Sequence, residues 1–304
     1  MGEGTFTMHL ATMTTALLIA GGIGAVGPVP GPAVAAIEWT LTAGLGDGVA
    51  LILGPMGTVM PNDTLMASAD RIFLEPLGFT GHTEGVATPY SFSFSGYDWD
   101  ATVAQGVTNL VDAVKTQIAD GHVSAEDPLV IFGYSQGTTI ATQAMQQLVD
   151  AGVPADYLHF VLTGHAASAF GGFLNAFVPS LPDWLQEPVR QFLDFINLGD
   201  LIGATTPDGP YATDVYTLPG DGWSDWPSSV TADPSATWDA LIGAFSVHLA
   251  YFGLTPEQVG DAVLTHTDGT ADYFTIPDAH IDWLTTLWNS AINVGDIPAW
   301  LAGL

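Results

Sequence analysis

One serine lies in a setting that could make it chemically reactive. Ser135 is the centre of Gly133-Tyr134-Ser135-Gln136-Gly137, a G-x-S-x-G pentapeptide. An apolar run at residues 129–132 precedes the pentapeptide, and residues 138–149 follow it with helical periodicity. A sharp turn from strand to helix exposes such a serine, and the helix N-terminus places its dipole and N–H groups beside it. We therefore predict Ser135 as a nucleophile and the backbone N–H of Gln136 as an oxyanion donor. The alternative is a serine that only caps a helix.

A serine nucleophile requires a base and an acid that orients the base. In chains with this pentapeptide the order is serine, acid, histidine, which leaves His248, His266 and His280 as bases. His280 lies between two aspartates and is more typical of a solvated surface. The acid should follow the end of a strand, and both Asp221 and Asp225 follow an apolar run at residues 215–218. The order of residues leaves both aspartates open.

The elements that must position these groups alternate along the chain. Four short apolar runs, at residues 49–53, 129–132, 158–162 and 215–218, predict buried strands. Segments 98–119 and 138–149 predict helices. This alternation indicates an α/β fold with a mostly parallel central sheet flanked by helices. Residues 165–209 are aromatic, aliphatic and interrupted by prolines, which predicts a helical apolar insertion that is either a lid or ordinary packing.

Four segments together resemble the PE-PPE-domain serine hydrolases of mycobacteria, a cutinase-like branch of the α/β-hydrolases. They are LILGPMGT at 51–58, the pentapeptide at 133–137, DGWSDWP at 221–227 and HLAY at 248–251. The resemblance spans about residues 49–252. It implies an α/β-hydrolase fold and an esterase or lipase that acts on acyl esters, with acyl transfer in envelope lipid assembly as an alternative.

The resemblance also implies individual roles. Ser135 would be the nucleophile and His248 the base, with Asp221 preferred to Asp225 as the acid. The second oxyanion donor would be a backbone N–H near Met56 or Gly57. Here the chain departs from the family, which usually has Gly-Thr where this sequence has Pro55-Met56. Proline has no N–H, so Pro55 is not a donor.

The charge balance restricts the ligands. The 304 residues include 32 Asp and Glu but only 3 Lys and Arg, for a net charge of −29. Nucleic acid requires clustered basic residues, so we exclude it and expect a neutral acyl-ester or lipid substrate. The chain has no cysteine, and no metal-binding motif is present, so we predict neither a cofactor nor a metal site. A catalytically silent binding protein on the same scaffold is the remaining alternative.

The first 36 residues differ from the rest. Residues 5–37 contain no Asp, Glu, Lys or Arg and end near an A-x-A pattern at Ala35. This order is typical of a secretory signal or an envelope anchor, although no positive charge precedes it. We expect a secreted or envelope protein, possible membrane association, and a hydrolase domain over 37–304. An apolar helix packed on the domain surface is the alternative.

Overall fold

Strands and helices alternate along the chain as predicted. The computed structural model describes residues 44–89, 91–93, 96–195 and 209–295. The strands are β1 (Val49–Leu53), β2 (His82–Gly85), β3 (Phe92–Ser93), β4 (Gly96–Tyr97), β5 (Leu129–Tyr134), β6 (Leu158–Thr163), β7 (Ala212–Thr217), β8 (Val263–Asp268) and β9 (Ala271–Thr275). The helices are α1 (Asp63–Ala69), α2 (Trp99–Ala119), α3 (Gln136–Asp150), α4 (Phe173–Ser180), α5 (Asp183–Phe195), α6 (Pro234–Gly243), α7 (Pro256–Gly260) and α8 (Trp283–Val294).

Within these residues, seven strands form one sheet in the order β2-β1-β5-β6-β7-β9-β8, and β3 pairs with β4 separately. Every neighbouring pair in the sheet is parallel except β8 and β9. Parallel strands need crossover connections, which α2 and α3 provide on either side of β5 in the chain. The predicted α/β-hydrolase fold, with a mostly parallel sheet flanked by helices, is confirmed.

Both faces of the sheet are covered by other parts of the chain. Successive side chains of a strand point to opposite faces, so neighbouring residues enter different cores. Every residue of β1 and β5 is buried, which explains why their sequences are continuously apolar. Leu51 and Ile131 pack in one core with α2 and α3, and Ile52 and Phe132 pack in the other with Phe252. Full burial of a side chain of this size contributes about 1.5–3 kcal/mol to the free energy of unfolding.

The sequence patterns do not predict β2, β8 or β9. β2 and β8 are edge strands of polar composition that are largely exposed, so they lack a hydrophobic pattern. α4 and α5 lie within the predicted helical insertion at residues 165–209, of which 196–208 lie outside the described residues.

All described residues belong to one compact unit, Leu41–Leu304. The predicted N-terminal segment, residues 1–36, lies outside the described residues. In the part of the chain that the structure describes, no helix has the length and apolarity to cross a bilayer.

Candidate active site

Ser135 occupies the turn between β5 and α3. β5 ends at Tyr134 and α3 begins at Gln136, so Ser135 alone makes the change of direction. Its φ of 54° and ψ of −119° are unusual, and it is the one non-glycine residue with positive φ in the described ranges. Such a conformation costs roughly 1–3 kcal/mol. A hydrogen bond from the Ser135 N–H to the Thr163 carbonyl, at 3.1 Å, helps to hold the turn in place.

The two glycines of the pentapeptide make room for this turn. A Cβ on Gly133 would lie 2.9 Å from the backbone of Gly137, which returns past it after the turn. A Cβ on Gly137 would lie 2.6 Å from the carbonyl oxygen of Leu53 at the end of β1. Any side chain at either position would therefore force backbone atoms apart. The G-x-S-x-G pattern is a steric requirement of the chain crossing here.

His248 lies beside the serine. The imidazole Nε2 is 2.8 Å from Ser135 Oγ, and Nδ1 is 2.9 Å and 3.0 Å from the two carboxylate oxygens of Asp221. Because a carboxylate accepts hydrogen bonds, Nδ1 carries the proton and Nε2 offers its lone pair to the serine hydroxyl. The ring of Tyr134 stacks on His248 with centroids 5.4 Å apart, and its hydroxyl donates to the His248 carbonyl at 2.5 Å.

Asp221 is completely buried yet fully provided with donors. It follows β7 and accepts hydrogen bonds from the Trp223 N–H at 2.9 Å and the Ser224 hydroxyl at 2.7 Å, besides the bonds from His248. Burial alone would raise the pKa of Asp221, but His248 and these donors outweigh it and hold the pKa below its ordinary value. The carboxylate therefore stays ionised beside the imidazole.

Asp225, the rival acid, lies elsewhere on the same loop. Its side chain is exposed, and its carboxylate accepts from the Gly220 N–H at 2.8 Å. No hydrogen bond joins it to His248 among the described contacts. Of the two aspartates that the sequence left open, the structure brings Asp221 to the histidine.

The other candidate histidines do not pair with Ser135. His266 is exposed and stacks on Phe170, with ring centroids 4.1 Å apart, and His280 is exposed as expected for a surface group. His165, which the sequence order excludes as the base, is completely buried behind the turn, 2.8 Å from the hydroxyl of Thr138. Burial lowers the pKa of His165 to about 3, so this ring is neutral.

The predicted oxyanion donors lie on two neighbouring strand ends. Gln136 is the first residue of α3, where backbone N–H groups point out of the helix. Met56 follows β1, whose last residue pairs in register with Gly133. The Thr58 N–H donates to the Pro55 carbonyl at 3.1 Å, and Gly57 has a φ of 97°, so residues 55–58 form a type II turn with Met56 in its second position.

Sequence reasoning missed three polar side chains of this region: Ser224, Tyr251 and Thr138. The hydroxyls of Ser224 and Tyr251 both donate to Asp221, and the Thr138 hydroxyl donates to the Ser135 carbonyl at 2.6 Å. The three-residue spacing in HLAY could have found Tyr251, since it places two side chains on one side of a tight helical turn. Nothing in the spacing of the other two identifies them.

Aromatic side chains wall the site next to His248. The ring centroid of Trp223 lies 6.1 Å from that of His248, and Phe173 of α4 packs edge-on against Trp223 at 5.1 Å. The Phe173 N–H donates to the Trp223 carbonyl at 2.8 Å, and the Trp226 indole donates to Ser180 at the end of α4. The predicted apolar insertion thus begins against the loop that carries Asp221.

Within the described ranges, no group of three or more His, Cys, Asp or Glu side chains is arranged to hold a metal ion. The site instead joins the Ser135 hydroxyl, the His248 imidazole and the Asp221 carboxylate by successive hydrogen bonds. Such a line can move a proton from the hydroxyl to the imidazole as the oxygen attacks a carbon.

Comparison with known proteins agrees with the resemblance in the sequence. The model of the PE-PPE domain matches residues 80–302. The chain belongs to the PE-PPE domain family. The match extends past residue 252 to include β8, β9 and α8, which carry none of the four motifs.

Two relatives in this family come from Mycobacterium tuberculosis. One is named Esterase PE16 and is 33% identical over 260 residues, which are 80% of this chain and 45% of the relative. The other is an uncharacterised PPE family protein, PPE28, 31% identical over 233 residues, 73% of this chain and 32% of the relative. The chain spans less than half the length of each. A solved structure of a cutinase-like protein from Cryptococcus sp. is 17% identical, with a TM-score of 0.36, over 69% of this chain and 96% of that one.

Proposed function

We propose that this PE-PPE domain is a serine carboxylic-ester hydrolase of the esterase or lipase type. The observation that carries the proposal is the line from Ser135 Oγ to His248 Nε2, at 2.8 Å, and from His248 Nδ1 to Asp221 Oδ2, at 2.9 Å. These separations lie within the reach that nucleophile and base need for proton transfer. The name of the M. tuberculosis relative, an esterase, supports the same reaction class.

In this mechanism Ser135 Oγ attacks the acyl carbonyl carbon while its proton moves to His248 Nε2. The buried charge of Asp221 stabilises the imidazolium and keeps the ring in the required tautomer. The backbone N–H groups of Gln136 and Met56 would donate to the oxyanion. His248 then protonates the leaving alcohol, and a water molecule, activated by the same base, releases the acid and restores Ser135.

The surroundings favour an uncharged, apolar acyl ester. The chain has three basic residues, Arg71, Lys115 and Arg190, all within the described ranges. None of them forms a hydrogen bond or an ion pair with Ser135, His248 or Asp221 there. A carboxylated or phosphorylated substrate would lack a partner there. Trp223 and Phe173 instead offer apolar surface beside His248. We propose that α4 and α5 act as a lid over the acyl chain, because Phe173 of α4 packs against Trp223 and α5 exposes the apolar side chains of Trp184 and Phe192.

The experiment is hydrolysis of p-nitrophenyl butyrate by the wild-type protein and by Ser135→Ala. We expect hydrolysis by the wild type, and a fall of at least about 10³-fold in Ser135→Ala because the covalent step is removed. Ser246→Ala is the matched control, since Ser246 precedes His248 by two residues and its hydroxyl donates to the Ile242 carbonyl of α6. Labelling by a fluorophosphonate should follow the same pattern.

Undiminished hydrolysis in Ser135→Ala would overturn the proposal. A wild-type protein that neither hydrolyses the ester nor takes the label would instead indicate a silent binding protein. Glycerol or trehalose added to the same assay tests acyl transfer, because an acylated alcohol forms when the alcohol replaces water in the second step.

For location we propose the cell envelope or the medium, on the basis of the uncharged segment at residues 5–37. Fractionation of cells that express the whole chain tests this proposal. Recovery of the protein in the cytosol alone would contradict it.

A further inference from the structure

Tyr251 contacts the same carboxylate as the proposed base, His248. It belongs to the same 3₁₀ helix as His248, His248–Gly253, and follows His248 by three residues. A 3₁₀ helix has three residues per turn, so side chains three apart point to the same side. His248 and Tyr251 therefore approach Asp221 together, with their ring centroids 6.2 Å apart.

The tyrosine hydroxyl is oriented toward the carboxylate. The backbone N–H of Leu218 donates to the Tyr251 oxygen at 2.9 Å, and the same oxygen lies 2.9 Å from Asp221 Oδ2. The Tyr251 oxygen also lies 3.2 Å from Ser224 Oγ, but the contact with Asp221 is shorter and the carboxylate is charged, so the Tyr251 proton is donated to Asp221. The Ser224 hydroxyl donates to the same Oδ2 at 2.7 Å.

Tyr251 is also held rigidly. Its side chain is completely buried, and its ring packs against Tyr134 with centroids 5.8 Å apart. Burial, together with the nearby charge of Asp221, raises the pKa of Tyr251 well above its ordinary value of 10.0, so the hydroxyl remains a donor across the working pH range. The carboxylate thus faces a buried, packed donor that keeps its proton.

We infer that Tyr251 is a positioning residue for the His248–Asp221 pair. Its hydroxyl fixes Asp221 Oδ2 opposite His248 Nδ1 and shares the carboxylate's negative charge, which limits how strongly Asp221 favours the protonated imidazole. The inference rests on the proposed esterase function. In that function Tyr251 never touches the substrate, and it acts only through Asp221.

Loss of the hydroxyl should therefore change the titration of the base. The titratable groups that face His248 are Asp221 from the loop after β7, Tyr134 from β5 and Tyr251 on its own helix. Tyr134 is buried and its pKa is raised, and α8, which packs on the other side of this helix, has no charged residue. Without the Tyr251 donor, Asp221 would attract the imidazolium more strongly, and the acid limb of kcat/KM would move to higher pH.

The test compares the pH profiles of kcat/KM for wild type, Tyr251→Phe and Ser224→Ala with p-nitrophenyl butyrate. We expect both variants to lose roughly tenfold in kcat with little change in KM, as for one hydrogen bond to a charged group. Both acid limbs should move up by about half a pH unit or more. Tyr211→Phe is the matched control, because Tyr211 is also buried and its hydroxyl donates to the Val153 carbonyl, in the opposite core.

An acid limb that is unchanged in Tyr251→Phe would overturn the inference, whatever that variant's stability. If Tyr251→Phe does not fold, the test uses 3-fluorotyrosine at position 251 instead. Its more acidic hydroxyl donates a stronger hydrogen bond to Asp221, so the acid limb of kcat/KM should move to lower pH. No movement there would equally overturn it. Failure of the esterase proposal is separate, because it appears as activity in Ser135→Ala or as a wild-type protein that neither hydrolyses the ester nor takes the fluorophosphonate label.

Discussion

Asp221→Asn is the perturbation that most directly tests the proposed role of the acid. The change keeps the size of the side chain but replaces one acceptor oxygen with an amino group. Oδ1 accepts from the Trp223 N–H at 2.9 Å, and Oδ2 accepts from the Ser224 and Tyr251 hydroxyls at 2.7 Å and 2.9 Å. Either orientation of the amide therefore sets a donor against a donor, and the charge that stabilises the imidazolium is lost.

The expected size follows from these contacts. Loss of the buried acid with intact geometry lowers kcat by about 10³- to 10⁴-fold in serine hydrolases. That fall corresponds to about 4–5.5 kcal/mol of transition-state stabilisation, at ~1.36 kcal/mol for each tenfold change. One buried donor without an acceptor should lower the free energy of unfolding by about 1–3 kcal/mol.

Asp225→Asn is the matched control, four positions along the same loop. Its carboxylate is exposed and accepts from the Gly220 N–H, so we expect kcat within about twofold of wild type, as for a surface substitution. The assays are kcat for p-nitrophenyl butyrate and urea unfolding followed by tryptophan fluorescence. The reasoning fails if Asp225→Asn is the more harmful change, or if Asp221→Asn keeps more than about a tenth of wild-type kcat.

Three further changes test other parts of the site. Proline is accepted at the second position of the type II turn that Gly57 completes, but Met56→Pro removes the backbone N–H. We expect kcat of Met56→Pro to fall by about 10²-fold and kcat of the control Met56→Leu to stay near the wild-type value. Equal kcat values in the two variants would show that the Met56 N–H is not an oxyanion donor. Gly137→Ala puts a Cβ 2.6 Å from the Leu53 carbonyl, so it should lower both kcat and the thermal midpoint, and an unaltered midpoint would contradict the steric argument. His165 is neutral when folded, because burial lowers its pKa from 6.5 to about 3, so stability is complete above pH 6.5 and falls as the unfolded chain takes up a proton below it. Between pH 7 and pH 5 the wild type should lose about 2 kcal/mol more unfolding free energy than His165→Asn in urea titrations, and parallel losses would refute this.

Much of the central fold could be predicted from short-range patterns. β1 and β5 are continuously apolar because helices cover both faces of the sheet, and β1, β5 and β6 each lie where an apolar run predicts a strand. β8 and β9 could not be found in this way, since an edge hairpin buries little surface. The two residues between them, Gly269 and Thr270, form the hairpin turn, and a glycine with positive φ at the first turn position was the available indication.

The chemistry of the site divides in a similar way. The pentapeptide identifies Ser135 because its steric requirements are local: the two glycines and the serine are close in sequence as well as in space. His248 and Asp221 were named through the resemblance of whole segments to a family. The hydroxyls of Ser224 and Tyr251 were not predicted, since a serine or tyrosine in a loop or helix has many possible partners.

By itself, the sequence determined the α/β class and the strand-turn-helix around Ser135, because both depend on local spacing. The resemblance of four segments indicated the family, and the preference for an uncharged ligand, which the shortage of basic residues suggests, stays a prediction. Only the tertiary structure decided between Asp221 and Asp225. The two carboxylates lie four residues apart on one loop, and nothing local distinguishes them. The path of the loop between β7 and the 3₁₀ helix buries one against His248, Ser224 and Tyr251 and leaves the other in solvent. A carboxylate acts on a distant histidine only where the fold excludes water and supplies donors for its charge.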